Sequence, residues 1–211
     1  DITELEYKNL ELESMLKINE QSMQEISRQN NELKILAEND PMTRCYNRRA
    51  FHAYGDKIFQ DATGHHKNLV CIMLDIDHFK SVNDTYGHQI GDSVIKMVAK
   101  IAKENLRETD IVGRYGGEEF CLMLPNITNE MALEIAERLR LSVENSPDYK
   151  VIGIKRVTIS LGLASIQFGI NNPSELINLA DKALYLAKNN GRNRVVVWNG
   201  ELDSKSQAIS V

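Results

Sequence analysis

The chain has 211 residues, of which 42% are hydrophobic, 26% charged and 6% aromatic, and a formal net charge of −5. Those values suit one ordinary domain with an appendage, or two very small domains, and exclude wholesale disorder, a collagen repeat or a mucin-like stalk. The longest uninterrupted apolar run, Leu69 to Leu74, falls far short of the ~20 residues a bilayer-crossing helix needs, so no membrane segment is expected in this chain.

The chain starts at Asp1 rather than Met and shows no basic start followed by an apolar stretch, so it carries no secretory signal and reads as a piece of a longer protein. Cys45, Cys71 and Cys121 are odd in number, widely spaced and set among apolar neighbours. They read as reduced thiols of a cytoplasmic protein, without a disulfide framework or a zinc site. Charge is uneven: residues 1 to 40 carry ten acidic and four basic side chains, while the remainder is nearly neutral.

Residues 1–39 contain no Gly or Pro and are rich in Glu, Leu, Lys, Gln and Met, which predicts one helix. Positions a hold Leu5, Leu12, Asn19, Ile26 and Leu33; positions d hold Ile2, Asn9, Leu16, Met23, Asn30 and Ala37. Eight of these eleven are apolar. An apolar seam over five heptads, interrupted by asparagines, reads as a parallel two-stranded coiled coil and therefore a homodimer. The other reading is a lone amphipathic helix packed on its own domain, but nearly forty residues would project ~55 Å, farther than a small domain covers. Asn39-Asp40-Pro41 ends the helix.

From residue 40 to 200 the pattern predicts a helix at 47–61, a buried strand at 68–75, a short helix at 78–85, a turn at Gly87 and a helix from about Asp92 to Asn105. Strands at 110–115 and 119–124 flank Gly116-Gly117 and read as a hairpin with a tight glycine turn. A helix at 128–145, a strand at 156–166, a helix at 173–189 and a strand at 194–198 follow, with a frayed tail at 201–211. Strands alternating with helices, plus one hairpin, make an α/β (α+β) sandwich with a mixed sheet.

Chemistry concentrates at two places. The apolar strand runs into Asp75-Ile76-Asp77, where carboxylates emerge at the sheet edge; Asp77 precedes a short helix and reads as its cap, leaving Asp75 for chemistry. The hairpin Arg114-Tyr115-Gly116-Gly117-Glu118-Glu119-Phe120 carries adjacent acids that repel each other and add nothing to folding, so a cation is expected there. Hard oxygen donors without His or Cys point to Mg²⁺ or Mn²⁺. A strand-end Asp facing hairpin carboxylates is also the arrangement of nucleotide-polymerising palms.

These residues resemble the GGDEF-domain diguanylate cyclases, which join two GTP molecules into cyclic di-GMP. The resemblance covers residues 40 to about 198 and rests on motifs in the right order: Asp40-Pro41-Met42-Thr43 through Asn47-Arg48-Arg49, Asp75-Ile76-Asp77-His78-Phe79-Lys80, Asn83-Asp84-Thr85-Tyr86-Gly87-His88, Gly91-Asp92, Gly116-Gly117-Glu118-Glu119-Phe120, Ala187-Lys188 and Gly191-Arg192-Asn193-Arg194. It implies a nucleotidyl-cyclase, palm-like mixed sheet flanked by helices. It also implies that Asp75, the Ile76 carbonyl and Glu118 hold the metals. It implies that Glu118 or Glu119 serves as base for the attacking 3′-hydroxyl, with Glu118 the favoured one and Glu119 in support. Lys80, Lys188 and Arg192 clamp the triphosphate, though basic residues after helices also serve as a plain solvated face. Asn83 and Asp92 read guanine; an Asp accepts from N1–H and N2–H together, a pair adenine lacks. Phe79, His88, Gly116 and Gly117 complete the substrate site.

The resemblance further implies a product-inhibition site. Arg107-Glu108-Thr109-Asp110 stands five residues ahead of Gly116, and Arg138 matches a secondary arginine from the partner surface. Arg-x-x-Asp also occurs as an ordinary ion pair at helix ends. The expected partners are GTP, cyclic di-GMP, a second copy through the first helix and an upstream sensor domain. The setting is cytoplasmic, free or as the inner portion of a larger membrane-anchored receptor. The acidic chain has no basic patch with interleaved aromatics, which excludes nucleic acid. The competing class is a catalytically silent module that senses GTP or cyclic di-GMP; His78, where the family often has a large apolar residue, reads as a surface residue.

Overall fold

The structure, a computed structural model, describes residues 2–200; the tail expected at 201–211 lies outside the described residues. The chain divides into two units, at Glu38 and Asn39.

The first unit is α1 (Ile2–Glu38), a single helix of 37 residues. Surface ion pairs a turn apart line it, Lys8 to Glu4 at 3.1 Å and Arg28 to both Glu25 and Glu32 at 2.7 Å, each screened by solvent. The seam residues Leu12, Leu16, Met23, Ile26 and Leu33 are 52–66% exposed.

The second unit is built on a six-stranded sheet. In chain order its elements are β1 (Tyr46–Asn47), α2 (Arg48–Gly64), β2 (Leu69–Ile76), α3 (Phe79–Tyr86), α4 (His88–Glu104), β3 (Ile111–Arg114), β4 (Glu119–Pro125), α5 (Asn129–Glu144), α6 (Tyr149–Ile152), β5 (Ile159–Ser165), α7 (Pro173–Asn189) and β6 (Val195–Val197). The order across the sheet is β1-β3-β4-β2-β5-β6. β2, β3, β4 and β5 pair antiparallel, and the edge strands β1 and β6 pair parallel, giving the mixed sheet expected.

Every residue of β2 is buried, because helices cover both faces of this central strand. Alternation then splits the core in two. Val70, Ile72, Leu74 and Ile76 join Phe120 and Leu122 against the apolar faces of α4 and α5. Leu69, Cys71 and Met73 join Cys121 and Met123 against α2 and α7. Asp75 continues the second set, so its side chain leaves the sheet on the α7 side.

The structure departs from the sequence reading at several places, α2 running to Gly64 and β5 starting only at Ile159 among them. α4 starts at His88, not near Asp92, because the single residue Gly87 at φ 82° is enough to break from α3. The hairpin loop is four residues, Tyr115 to Glu118, and neither glycine has a positive φ, so the glycines do not serve a tight left-handed turn. α6 is an extra turn of helix closed by Gly153 at φ 81°.

α7 lies so close over β5 that a Cβ on Gly162 would stand 2.1 Å from the Leu184 nitrogen and 2.2 Å from the Ala180 carbonyl oxygen. Both are backbone atoms of a packed helix. Gly162→Ala should therefore cost about 3 kcal/mol in a denaturant melt; a loss below about 1 kcal/mol would contradict this packing.

Candidate active site

Strand register assembles the acidic end of the site. β2 and β4 pair with Asp75 opposite Glu119, and β2 and β5 pair with Asp75 opposite Ser160. Asp75 is 6% exposed, and Lys188 from the last turn of α7 reaches its Oδ2 with Nζ at 2.8 Å. Burial pushes the Asp75 carboxyl up to about 6; Lys188 opposes the rise, and the charges of Glu118 and Glu119 add to it. The side chains of Glu118, Lys80, Asp92 and Arg192 engage in no hydrogen bond or ion pair among the described residues.

Gly116 leaves room for the acid beside it. A Cβ there would stand 2.4 Å from Glu119 Oε2, whereas a Cβ on Gly117 would meet nothing within 4 Å. One glycine makes room for Glu119; the other leaves the loop open to solvent.

The hairpin is held from behind by a residue the sequence reading quoted without a role. Arg114 donates from Nη2 and Nε to the Gly117 carbonyl oxygen at 2.8 and 3.1 Å, and from Nη1 to Asp40 Oδ2 at 3.2 Å. Asp40 also accepts from the Thr43 backbone N–H and hydroxyl, both at 2.8 Å. Burial pushes the Asp40 carboxyl up, but Thr43 and Arg114 together outweigh it and hold Asp40 below its usual value. This half-buried cation was not legible because its acidic partner, Asp40, lies 74 residues away.

A second group gathers at α3 and the start of α4. Phe79 is buried, Lys80 and His88 are exposed, and Asn83 and Asp92 are half-buried. Asn83 Oδ1 is buried with no hydrogen-bond partner among the described residues. It fits there only because residue 91 is glycine, whose Cβ would stand 1.9 Å from that oxygen. An unpaired buried amide oxygen is a costly arrangement in the absence of a ligand donor.

Asp77 is not a helix cap. The residue capping α3 is the exposed His78, at φ 55° and with no side-chain cap bond. The Asp77 carboxylate turns inward and accepts from the Thr158 and Ser160 hydroxyls, both at 2.7 Å, and from the Asn193 backbone N–H at 3.0 Å.

Arg107 and Asp110 are brought together, but onto each other. Arg107 donates from Nη2 to Oδ1 at 2.7 Å, from Nε to both oxygens and from its backbone N–H to Oδ2 at 2.9 Å, and the Asp110 side chain is fully buried. The outer face of Arg107 remains exposed. Arg138 bonds the Asn105 side chain and carbonyl, each at 2.9 Å, so it stands beside the Arg107 loop of its own chain.

Whether the residues fit a divalent cation is answered by Asp75. Among the described residues no three His, Cys, Asp or Glu side chains converge closely enough to hold a metal, and the Lys188 ammonium stands at the carboxylate instead. Yet an acid raised by burial, with two neighbouring glutamates adding to the rise, is an excess of negative charge carried on hard oxygens, and that chemistry fits Mg²⁺ or Mn²⁺.

Residues 37–194 match the family described as "Diguanylate cyclase, GGDEF domain". The chain belongs to the GGDEF family. It is 44% identical over 169 residues to the probable diguanylate cyclase DgcT of Escherichia coli K12, a match covering 78% of this chain and 36% of that protein. It is 47% identical over 139 residues to diguanylate cyclase A of Treponema denticola, covering 64% of this chain and 37% of that one. The chain thus spans little more than a third of these curated relatives. Among solved structures, the coiled coil and GGDEF domain of DgcB from Caulobacter crescentus, in complex with c-di-GMP, superposes with a TM-score of 0.77 at 30% identity, over 88% of this chain and 98% of that one. The active GGEEF domain of a diguanylate cyclase from Vibrio cholerae superposes at 0.69 with 34% identity, over 74% and 97%. No helix among the described residues is long and apolar enough to cross a membrane.

The raised Asp75 value sets a sign for pH. Between about pH 4 and 6 the folded GGDEF domain holds a proton that the unfolded chain has released, so Asp75's contribution to stability falls as pH rises through that window and stays unfavourable above it. Asp75→Asn should stabilise the fold at pH 8 by about 2–3 kcal/mol, with the gain gone at pH 4; equal loss of stability at both pH values would contradict the burial account.

Proposed function

We propose that this chain condenses two GTP into cyclic di-GMP and two pyrophosphates, each GGDEF domain of a homodimer contributing one bound nucleotide. The observation that carries this reading is the register of Asp75 against the intact Gly116-Gly117-Glu118-Glu119 hairpin. A domain that only senses nucleotide has no use for acids held together at the cost of a raised carboxyl.

In this reading Asn83 and Asp92 hold the guanine edge. Asn83 Oδ1 lacks a donor in its buried place, which a guanine N–H supplies, and the Asp92 carboxylate is uncommitted. Phe79 and His88 border the base, and Gly116 and Gly117 allow the backbone close to the nucleotide. Lys80, Lys188 and Arg192 take the phosphates; Lys188 leaves Asp75 to do so.

Asp75, the Ile76 carbonyl and Glu118 are the residues that would hold Mg²⁺ or Mn²⁺, which supplies charge stabilisation at the phosphoryl group when bound. Glu118, with Glu119 beside it, accepts the proton of the 3′-hydroxyl. That oxygen bonds to the α-phosphorus of the other nucleotide as the bond to pyrophosphate breaks in line. One domain cannot offer both halves, so the rate depends on holding two nucleotides face to face, an orientation effect worth up to ~7–11 kcal/mol. The exposed apolar seam of α1 suits a second copy, and an upstream sensor acting through that helix would set how the two domains meet.

Arg107, Asp110 and Arg138 form the proposed product site. The outward side of Arg107 is positioned for a guanine or phosphate of cyclic di-GMP, while Asp110 has to exchange part of its bonding to Arg107 for a guanine edge.

Incubation with GTP and Mg²⁺ should yield cyclic di-GMP and pyrophosphate in a ratio of one to two. Glu118→Ala should lower turnover by about 10³-fold while changing stability by less than about 0.5 kcal/mol, since the Glu118 side chain makes no hydrogen bond or ion pair among the described residues; wild-type turnover in that variant contradicts the assignment. Arg107→Ala should raise the cyclic di-GMP concentration for half-inhibition by about tenfold or more and also lower the melting temperature, because buried Asp110 loses its cation. Superimposable inhibition curves for variant and parent remove the product site.

A further inference from the structure

We infer that Asp77 is a positioning residue that fixes the Arg192 arm of the phosphate clamp to the strand end carrying Asp75. The inference rests on the proposed nucleotide site and adds a residue to its machinery.

Asp77 is 3% exposed, more deeply buried than Asp75, and no Lys or Arg ion-pairs with it among the described residues. Its charge is met instead by three donors from two separate segments. Thr158 and Ser160 lie at the start of β5, and the third donor is the backbone N–H of Asn193, 116 residues away in sequence. A carboxylate suits this place because every group aimed at it is a donor; an amide would turn its own N–H₂ toward one of them.

The loop at the far end of that bond is one that needs holding. Gly191 has φ 108°, and the next two residues, Arg192 and Asn193, have φ 62° and 46°, the left-handed region that side chains disfavour. Such a conformation persists where its surroundings over-determine it, and here they do. The Arg192 N–H donates to the Ala187 carbonyl at the end of α7 at 3.0 Å. The Asn193 N–H donates to Asp77. The Asn193 side chain accepts from Arg140 Nη1 at 2.8 Å and donates to Glu144 Oε1 at 3.0 Å, both on α5. Arg140 and Glu144 are themselves paired at 2.9 Å with their side chains only 14% exposed.

The two basic arms of the clamp are therefore referenced to one short segment in different ways. Lys188 touches Asp75 directly, by a contact that ligand binding exchanges. The Arg192 side chain makes no hydrogen bond or ion pair among the described residues, but the residue after it is bonded to Asp77, two positions beyond Asp75, by a buried contact that no phosphate competes for. Asp77 thus keeps the Arg192 arm at a set distance from the acidic end while Lys188 changes partners.

The test is the affinity for two nucleotides that differ only in the phosphates the clamp holds: guanosine 5′-[α,β-methylene]triphosphate, which cannot release pyrophosphate, and GMP, both by calorimetry with Mg²⁺. Asp77→Asn should weaken the triphosphate analogue tenfold or more and GMP less than twofold. The same substitution made in an Arg192→Ala background should add nothing, because the arm it positions is gone. Asn193→Ala, which removes the two side-chain anchors but not the Asp77 bond, should show the same selective loss and serves if Asp77→Asn fails to fold. Equal weakening of both nucleotides, or full additivity with Arg192→Ala, overturns the inference while leaving the nucleotide site standing. A parent protein that binds neither nucleotide overturns the site itself, and this inference with it.

Discussion

A carboxylate carried into the interior at the end of a fully buried strand governs this molecule. Asp75 is there because β2 is central, apolar on both faces and paired on both edges, so its last residues emerge already desolvated. Its alternation places it on the α7 side, and the register with β4 sets a glutamate opposite. Each of these follows from packing, yet together they create a local excess of negative charge that the fold meets with one lysine. In the proposed function, the stability lost at Asp75 is the condition for gripping a cation.

The same logic explains why charged groups at both candidate sites are found in one another's company. Lys188 sits on Asp75 and Arg107 on Asp110. Charges buried without partners are expensive, so under the proposed function a site for a polyanion and its cation, or for a dinucleotide, closes on itself in the free protein. Ligand binding is then an exchange of partners, and its net free energy is smaller than the new contacts alone suggest. Asp77 differs because its partners are hydroxyls and a backbone amide, which stay in place when the others exchange.

Much of the fold was legible because its elements are separated by residues with few options. The Asn39-Asp40-Pro41 stop, Pro173 at the start of α7 and the unbroken apolar run of β2 carry their geometry locally. The start of α4 and the four-residue hairpin loop were misjudged because glycine permits several geometries and sequence does not say which is used. α6 is too short for a periodic signal. The acids and bases of the site were legible by type and by family resemblance, but not their partners. Asp77 looked like a cap from its place before a helix, and only the fold brings Thr158, Ser160 and Asn193 to it. Gly91 and Gly116 matter through what fills the space beside them, Asn83 and Glu119, which pattern alone does not reveal.

The most direct probe of this account is the titration of Asp75 itself, followed by carbon-13 NMR of its side-chain carboxyl with and without Mg²⁺ and a non-reactive GTP analogue. The free protein should titrate at about 6, and the value should fall well below the ordinary aspartate range once cation and nucleotide are bound, because the proton then competes with a divalent charge. An Asp75 that titrates like a solvent-exposed aspartate, and does so identically with and without Mg²⁺, would contradict the claim that this buried carboxylate is the centre of the site.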